Sequence, residues 1–563
     1  NHPPEMDIIA SKITGNRALV DLDIDVLDYS GGAGVAALGG GIASFADGVA
    51  RDDSIAPDSK YGGSSGGVTL WQAVIADNAA TVTLANTSEV AAPKYIVSAG
   101  GGVFAGTDGT VRGAFIESKY VEVRDNTVSL TGSGAERKLA MGGGLAASYS
   151  EVLQDISAGW LDAVGEGEGY AESGAFSLLA ASEVSGNTVQ LSTSEYAEGG
   201  NNAHIAVGGG VAVVSTKYGE SSSLFSVAST VSGNTVVVSG GANNYSEAAY
   251  THAAGGGLAV GDLIFDRNAP NRLAALRYGK YRGYASGNSG NKVSVSSITD
   301  AGVGGGGVSA GFALVTAKKP EYELAVDSGD ATSEQYGAAI PLAVLTDPGG
   351  VTNNSVELTN TSGGEQFLTG GGIWAGGKYA VAGLTLASIT GNEISADKSA
   401  GGFIQAVGGG VGQRLKYGNG SVEFYSEGST ISDNSITISG ATESVALGGG
   451  IGLSTRSPSN KFSSDARSVL MVTGSTVSGN MIDTSVGAEY FPEAAGGGIF
   501  ADNIDNKYAE GDSTVVASTI ASNQLSIAAG EGDFPTGAGL FLRAIEPSSP
   551  EDEDRSAVSV LGT

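Results

Sequence analysis

A chain of 563 residues with 29 basic against 60 acidic side chains carries a formal charge of −31, which repels nucleic acid and anionic membrane and attracts cations. It holds no cysteine, which excludes disulfides, thiolate metal sites and thiol catalysis together and suits an exported protein. Glycine fills 91 positions while aromatic residues are 7% and charged residues 16%, so any core must be narrow and lined by Val, Ile, Leu and Ala.

Composition does not shift along the chain and no Pro-rich or charged linker divides it, so residues 1–563 read as one continuous domain. There is no Gly-X-Y period, which removes collagen, and recurrent β-branched runs argue against disorder. The chain opens Asn1-His-Pro-Pro-Glu5, without Met and without a basic-then-apolar leader, so if a signal peptide existed it is expected to be already gone. No apolar run approaches the ~18 residues of a bilayer-spanning helix.

Taken in order, the chain repeats one motif. It appears first as Ile13-Thr-Gly-Asn16 and returns with its Asn at 78, 126, 187, 234, 291, 354, 392, 434, 480 and 523. Ten of these eleven copies carry Val or Ile three residues before the Asn, the exception being Asn288 before Asn291. After the Asn the chain alternates apolar with polar, as in Val189-Gln-Leu-Ser and Ile436-Thr-Ile-Ser, which predicts strand, turn, strand. Between successive Asn motifs lies a glycine triplet followed by an aliphatic residue, from Gly39-Gly-Gly-Ile42 to Gly496-Gly-Gly-Ile499, with a weaker Gly537-Ala-Gly-Leu540 last. The path from Asn to triplet is short and regular. The return path varies, placing insertions such as 47–65 and 149–173 on one side.

One such unit cannot bury an apolar face alone, but copies stacked parallel and in register give every strand two neighbours and one continuous core. Asn is expected to take the left-handed conformation of a sharp corner and to bond along the stack, and the Asp residues beside it, Asp77, Asp125 and Asp433, read as turn formers. The fold class expected is all-β, a right-handed parallel β-helix of about eleven units with about two coils per unit. Stacked at ~4.8 Å, these would make a rod on the order of 100 Å. Blades of a β-propeller would not tolerate connections so unequal, and the Trp-Asp signature is missing.

Gly-Gly-Gly-Ile paired with Ser-Thr-Ile-Ser-Asp-Asn434 resembles the parallel β-helix repeats of bacterial surface proteins, and is similar to the repeats of chlamydial polymorphic outer-membrane proteins and autotransporter passengers. The resemblance covers nearly the whole chain and implies a cell-surface adhesin role. The chain departs from it in carrying Val or Ile where that family has Phe, and in showing no C-terminal barrel of alternating ~10-residue strands.

Catalysis is not expected. The only histidines are His2, His204 and His252, and no acid-plus-Arg constellation of a polysaccharide lyase or hydrolase, the third functional alternative, stands out. Calcium is the one cofactor considered. Asp21, Asp23 and Asp25 alternate on one strand, and Glu551-Asp552-Glu553-Asp554 forms an acidic loop, so both could offer oxygen ligands or simply a solvated acidic face. Lys-Tyr recurs at eight places, among them Lys217-Tyr218, Lys378-Tyr379, Lys416-Tyr417 and Lys507-Tyr508, which predicts a ladder that either contacts glycans or packs as a plain corner. Trp71, Trp160 and Trp374 are scattered and mark no site.

The two ends suggest partners. Residues 6–16, with Ile8, Ile9, Ile13 and Asn16, read as the second half of a repeat, and Val558, Val560 and Leu561 as a first half that completes it in the next copy. Strand edges matching head to tail generate a fibre. The leading expectation is therefore a secreted structural protein that stacks on copies of itself into an extracellular filament or sheath. The alternative is an adhesin binding glycans or other cell-surface components.

Overall fold

The computed structural model describes residues 5–23, 35–46, 66–85, 95–107, 114–132, 137–149, 175–193, 203–215, 222–240, 250–262, 264–265, 273–274, 279–296, 301–310, 342–346, 349–359, 365–376, 379–398, 402–414, 419–441, 443–455, 465–485, 493–504, 513–528, 534–544 and 558–561. These build a right-handed parallel β-helix.

The first coil comprises β1 (Glu5–Ile9), β2 (Lys12–Thr14), β3 (Arg17–Asp23), β4 (Val35–Leu38) and β5 (Ile42–Ala46). The second repeats it as β6 (Gly66–Trp71), β7 (Val74–Ala76), β8 (Ala79–Ala85), β9 (Tyr95–Ala99) and β10 (Val103–Thr107). β1 pairs with β6, β2 with β7, β3 with β8, β4 with β9 and β5 with β10, all parallel. The columns begun by β2, β3 and β4 each run through eleven strands. One repeat unit is therefore one coil, not two, because each strand's neighbour is the same strand of the next unit. Eleven coils at ~4.8 Å make a rod on the order of 50 Å, half the expected length.

The reason lies in the glycine triplet, which does not separate two coils but folds a wedge into one. Val82 and Leu84 of β8 pack against Ile96 of β9. Val97 and Ala99 on the other face of β9 pack against Phe104 of β10. Val103 and Ala105 of β10 pack against Val68 and Leu70 of β6 and Ile75 of β7. The cross-section thus has four layers in the order β8, β9, β10, β6, and β9 and β10 are buried on both faces. Their sequences accordingly lack polar alternation, as doubly buried strands do.

The triplet is the apex of that wedge, and it abuts the Asn corner. A Cβ on Gly101 would lie 2.3 Å from the Gly143 carbonyl oxygen and 2.6 Å from that of Thr127, so no side chain fits there. In the wedge, large residues meet glycines: a Cβ on Gly304 would lie 2.4 Å from the Trp374 ring, so Trp374 fills the space that Gly304 leaves.

The corner before β3 also differs from expectation. The left-handed residue is not the ladder Asn but the one before it, with φ of 58° at Asp77, 54° at Asp125 and 55° at Asp433, and with Gly15, Gly186 and Gly233 in the same place. These Asp residues are the turn formers expected. The Asn itself is freed to turn its side chain inward. In the degenerate sixth coil, Asn288 occupies a core position normally held by Val or Ile, and its Nδ2 donates to the Tyr281 hydroxyl at 3.2 Å. A polar pair therefore replaces an aliphatic one there.

Candidate assembly ends of the asparagine ladder

Each ladder Asn is held by two coils at once. The backbone N–H of Asn187 and its Nδ2 both donate to Oδ1 of Asn234, at 3.0 and 2.9 Å. Asn234 in turn donates from Nδ2 to Oδ1 of Asn291 at 2.9 Å and to the carbonyl of Val184 at 3.0 Å. The pattern runs unbroken from Asn16 to Asn523, and the interior members from Asn126 to Asn480 are fully buried. A buried amide with both its oxygen and its nitrogen engaged is stable where a lone one would not be.

The ladder has a direction, with donors pointing toward the C-terminal coils and acceptors toward the N-terminal ones. Among the described residues the first and last members therefore lack complementary partners. Oδ1 of Asn16 receives no donor, while the N–H of Asn523 and one Nδ2 hydrogen have no further Asn to reach. Among the described residues the core is less enclosed at both ends as well. Ile8, Ile13, Ala18 and Val20 at one end, and Ile520, Leu525, Ile527, Leu540 and Leu542 at the other, lie half-buried against the core, whereas Ile75 and Val123 at the position of Ile13 are fully enclosed.

The anticipated interface residues divide. Ile8, Ile13 and Asn16 sit on the open first coil with side chains toward the core or the ladder, but Ile9 points outward and is 63% exposed. Val558, Val560 and Leu561 belong to a strand that stacks on Ser513–Val516, opposite Ser513, Val515 and Val516 respectively. That strand stands in the column of β1. The reading of Val558–Leu561 as a leading strand missing from the first coil is therefore corrected: β1 already holds that place, and Glu5–Ile9 pairs with Gly67–Trp71. In a stack of copies Val558–Leu561 and the incoming β1 would claim one slot, while β2 to β5 would face open slots.

A second ladder escaped the sequence reading. Five residues before the motif Asn, at the corner between the first two strands of a coil, Ser182 donates from its N–H to Oγ of Ser229 at 3.0 Å, and Ser429 does so to Ser475 at 3.1 Å. Each Oγ donates to the carbonyl two residues earlier, as Ser229 does to Val227 at 2.9 Å. The signal was present as Ser at that fixed offset in Ser11, Ser182, Ser229, Ser286, Ser429, Ser475 and Ser518.

Of the carboxylates considered for calcium, Asp21 lies exposed on β3, opposite Thr83, and Asp23 ends that strand opposite Ala85. Asp25 and Glu551, Asp552, Glu553 and Asp554 lie outside the described residues. Among the described residues no three His, Asp or Glu side chains converge. Lys217, Tyr218, Lys378, Lys416, Tyr417, Lys507 and Tyr508 also lie outside them. The Lys-Tyr copies that are described do not share a register position, even where, as with Tyr281 and Tyr379, they fall in the same column. Tyr120 occupies the corner after the first strand of its coil, Tyr281 is buried mid-strand opposite Leu224, Tyr95 opens β9, and Tyr379 pairs with Ser421. No single ladder is formed by these four, because the dipeptide falls at different depths in the coil.

The buried ionisable groups are structural in setting. Lys138 and His204 lie side by side in the fourth column, in the layer between the third and fourth strands. Burial pushes the Lys138 amine down to about 7, and burial together with the Lys138 charge holds the His204 imidazole well below its ordinary range. His252 lies on the opposite face of that column, its ring 5.5 Å from that of Trp374.

No protein-family model, curated protein or solved structure matches this chain.

Proposed function

We propose that the protein is a structural rod whose coils continue from one copy to the next, joining end to end into a filament or sheath outside the cell. The polarity of the asparagine ladder carries this reading. Among the described residues Asn16 offers an acceptor without a donor and Asn523 donors without an acceptor; these are complementary, and so are the half-buried apolar side chains around them. Stacking β2 on the column of Thr519–Ala521 and β3 on that of Gln524–Ala528 would extend two columns without changing register. An edge that matches its opposite end rather than itself gives an open chain of copies rather than a closed dimer.

The overlap of Val558–Leu561 with β1 adds a condition, which is that one of the two leaves the column before the joint closes. Multi-angle light scattering and electron microscopy of the 563-residue protein test the proposal. Concentration-dependent rods of constant width, abolished by Asn523→Asp, are the expected result. A monomer at every concentration and salt overturns it. Asn523→Asp keeps the acceptor used by Asn480 but sets a carboxylate where the joint needs donors.

A further inference from the structure

The sides of the rod carry a feature that end-to-end stacking does not use. Among the described residues eight large apolar side chains are exposed, and six of them, Ile9, Trp71, Tyr120, Val227, Tyr284 and Leu386, lie on the corner between the first two strands of their coils. The other two, Met6 and Leu19, belong to the open first coil. Ile9 pairs with Trp71, Trp71 with Lys119, Ala180 with Val227 and Val227 with Tyr284, so these form one vertical stripe. Tyr120 and Leu386 occupy the next position, where φ is 56° and 52°, a strained conformation for either residue. A chance scatter of surface apolar residues would not be confined to one corner.

Beside the aromatic part of this stripe runs a wide, shallow groove, open to solvent along its length and lined by Tyr120, Glu122, Ser182, Glu183, Ala228 and Thr230. Small residues Ala181 and Ala228 stand at the position of Tyr120 one and two coils further on, and so keep the groove open. Along its far wall Glu122, Glu183 and Thr230 are register neighbours on successive coils, which makes a column of hydrogen-bonding groups parallel to the rings. The Lys119 ammonium lies 5.0 Å from the Trp71 ring centre and 5.5 Å from that of Tyr120, which ties the two rings to one cation.

We propose that this corner is a binding site for a neutral polysaccharide lying along the rod. Charge argues for that class. Lys119 and Arg124 offset two of the three local carboxylates Glu122, Asp125 and Glu183, Arg124 being bonded to Glu122 and Asp125, so the site keeps one net negative charge, the wrong sign for a polyanion and too little to select a polycation. The overall charge of −31 disfavours acidic polysaccharides and a second copy laid side by side. What remains is ring faces, on which the C–H faces of sugars stack, beside acceptors and hydroxyls suited to sugar hydroxyls. A polymer lying along the rod would cross one coil every ~4.8 Å.

Affinity electrophoresis of the full chain in gels containing xylan, galactomannan or mixed-linkage β-glucan tests this, with polygalacturonate and polylysine as charged comparisons. Retardation by at least one neutral polymer is expected, with Trp71→Ala and Tyr120→Ala each weakening it about tenfold. Both residues are exposed, and circular dichroism of each variant should match the parent. Retardation by none of the neutral polymers, retardation that both variants retain, or binding to polylysine or polygalacturonate alone overturns the proposal. Asn523→Asp should bind as the parent does, which separates this site from the assembly reading.

Discussion

Replacing Asn234 by Ala removes one rung from the middle of the ladder. Asn234 is fully buried and its side chain makes four hydrogen bonds: two accepted from Asn187 and two donated, to Asn291 and Val184. After truncation the Asn187 N–H and the Val184 carbonyl lose these partners inside the core, and a small void opens beside Gly210, whose Cβ position lies 3.1 Å from the Asn234 amide carbon. Neutral hydrogen bonds contribute about 0.5–1.5 kcal/mol each, and a stranded buried group costs about 1–3 kcal/mol, so a loss of about 3–5 kcal/mol is expected. Asn16→Ala is the control. Asn16 is exposed and bonds onward only to Asn78, so its loss should cost under about 1 kcal/mol. Urea denaturation followed by circular dichroism measures both, with hydrogen exchange of Val184 and Asn187 amides as a local readout, because a stacked array can open coil by coil. Equal losses for the two variants, or a loss below about 1 kcal/mol for Asn234→Ala, would refute the view that burial gives the ladder its strength.

Three further outcomes follow from named groups. Lys138 holds its proton to about 7 in the fold and to 10.5 when unfolded, so the unfolded chain binds the extra proton between those values. Stability should rise as pH is raised from about 7 toward 10, and Lys138→Met should remove most of that slope and be the more stable at pH 7, as thermal melts across pH would show. Gly209→Ala forces a Cβ to within 2.2 Å of the Gly256 carbonyl oxygen and 2.7 Å of the Thr235 nitrogen, so it should cost about 3 kcal/mol or more, or prevent folding, as judged by soluble yield and urea melts. Joining copies of charge −31 end to end brings like charges together, so light scattering should show assembly strengthening from about 0.01 M to 0.15 M salt, where the screening length falls from about 30 to 8 Å.

The residues that repeat were enough to give the stack, because Asn at a fixed place beside Val or Ile, and glycine before an aliphatic residue, each answer one local need of a coil. The number of coils per unit was not legible from spacing alone, since a unit of some fifty residues can be two simple turns or one turn folded inward. The deciding clue was compositional. Segments such as Val211-Ala-Val-Val-Ser lack polar alternation because they are covered on both faces, by the fourth strand on one side and the first on the other. The ends misled for a related reason. Glu5–Ile9 resembles the second half of a unit only if the triplet divides coils, and its pairing with Gly67–Trp71 restores it to the first strand. The corner stripe was hidden because exposure at Trp71 and Tyr120 depends on a left-handed corner that residue type does not announce, Tyr120 itself being the left-handed residue.

The central claim is that the ladder and its columns continue across the joint between copies. Electron cryomicroscopy of assembled protein measures this directly. The expected result is filaments with an axial repeat of eleven coils, on the order of 50 Å, in which β2 to β5 of one copy stack in register on the last coil of another and Asn523 meets Asn16. Copies that stay single, or that join through their sides with the ladder ends still open, would contradict it.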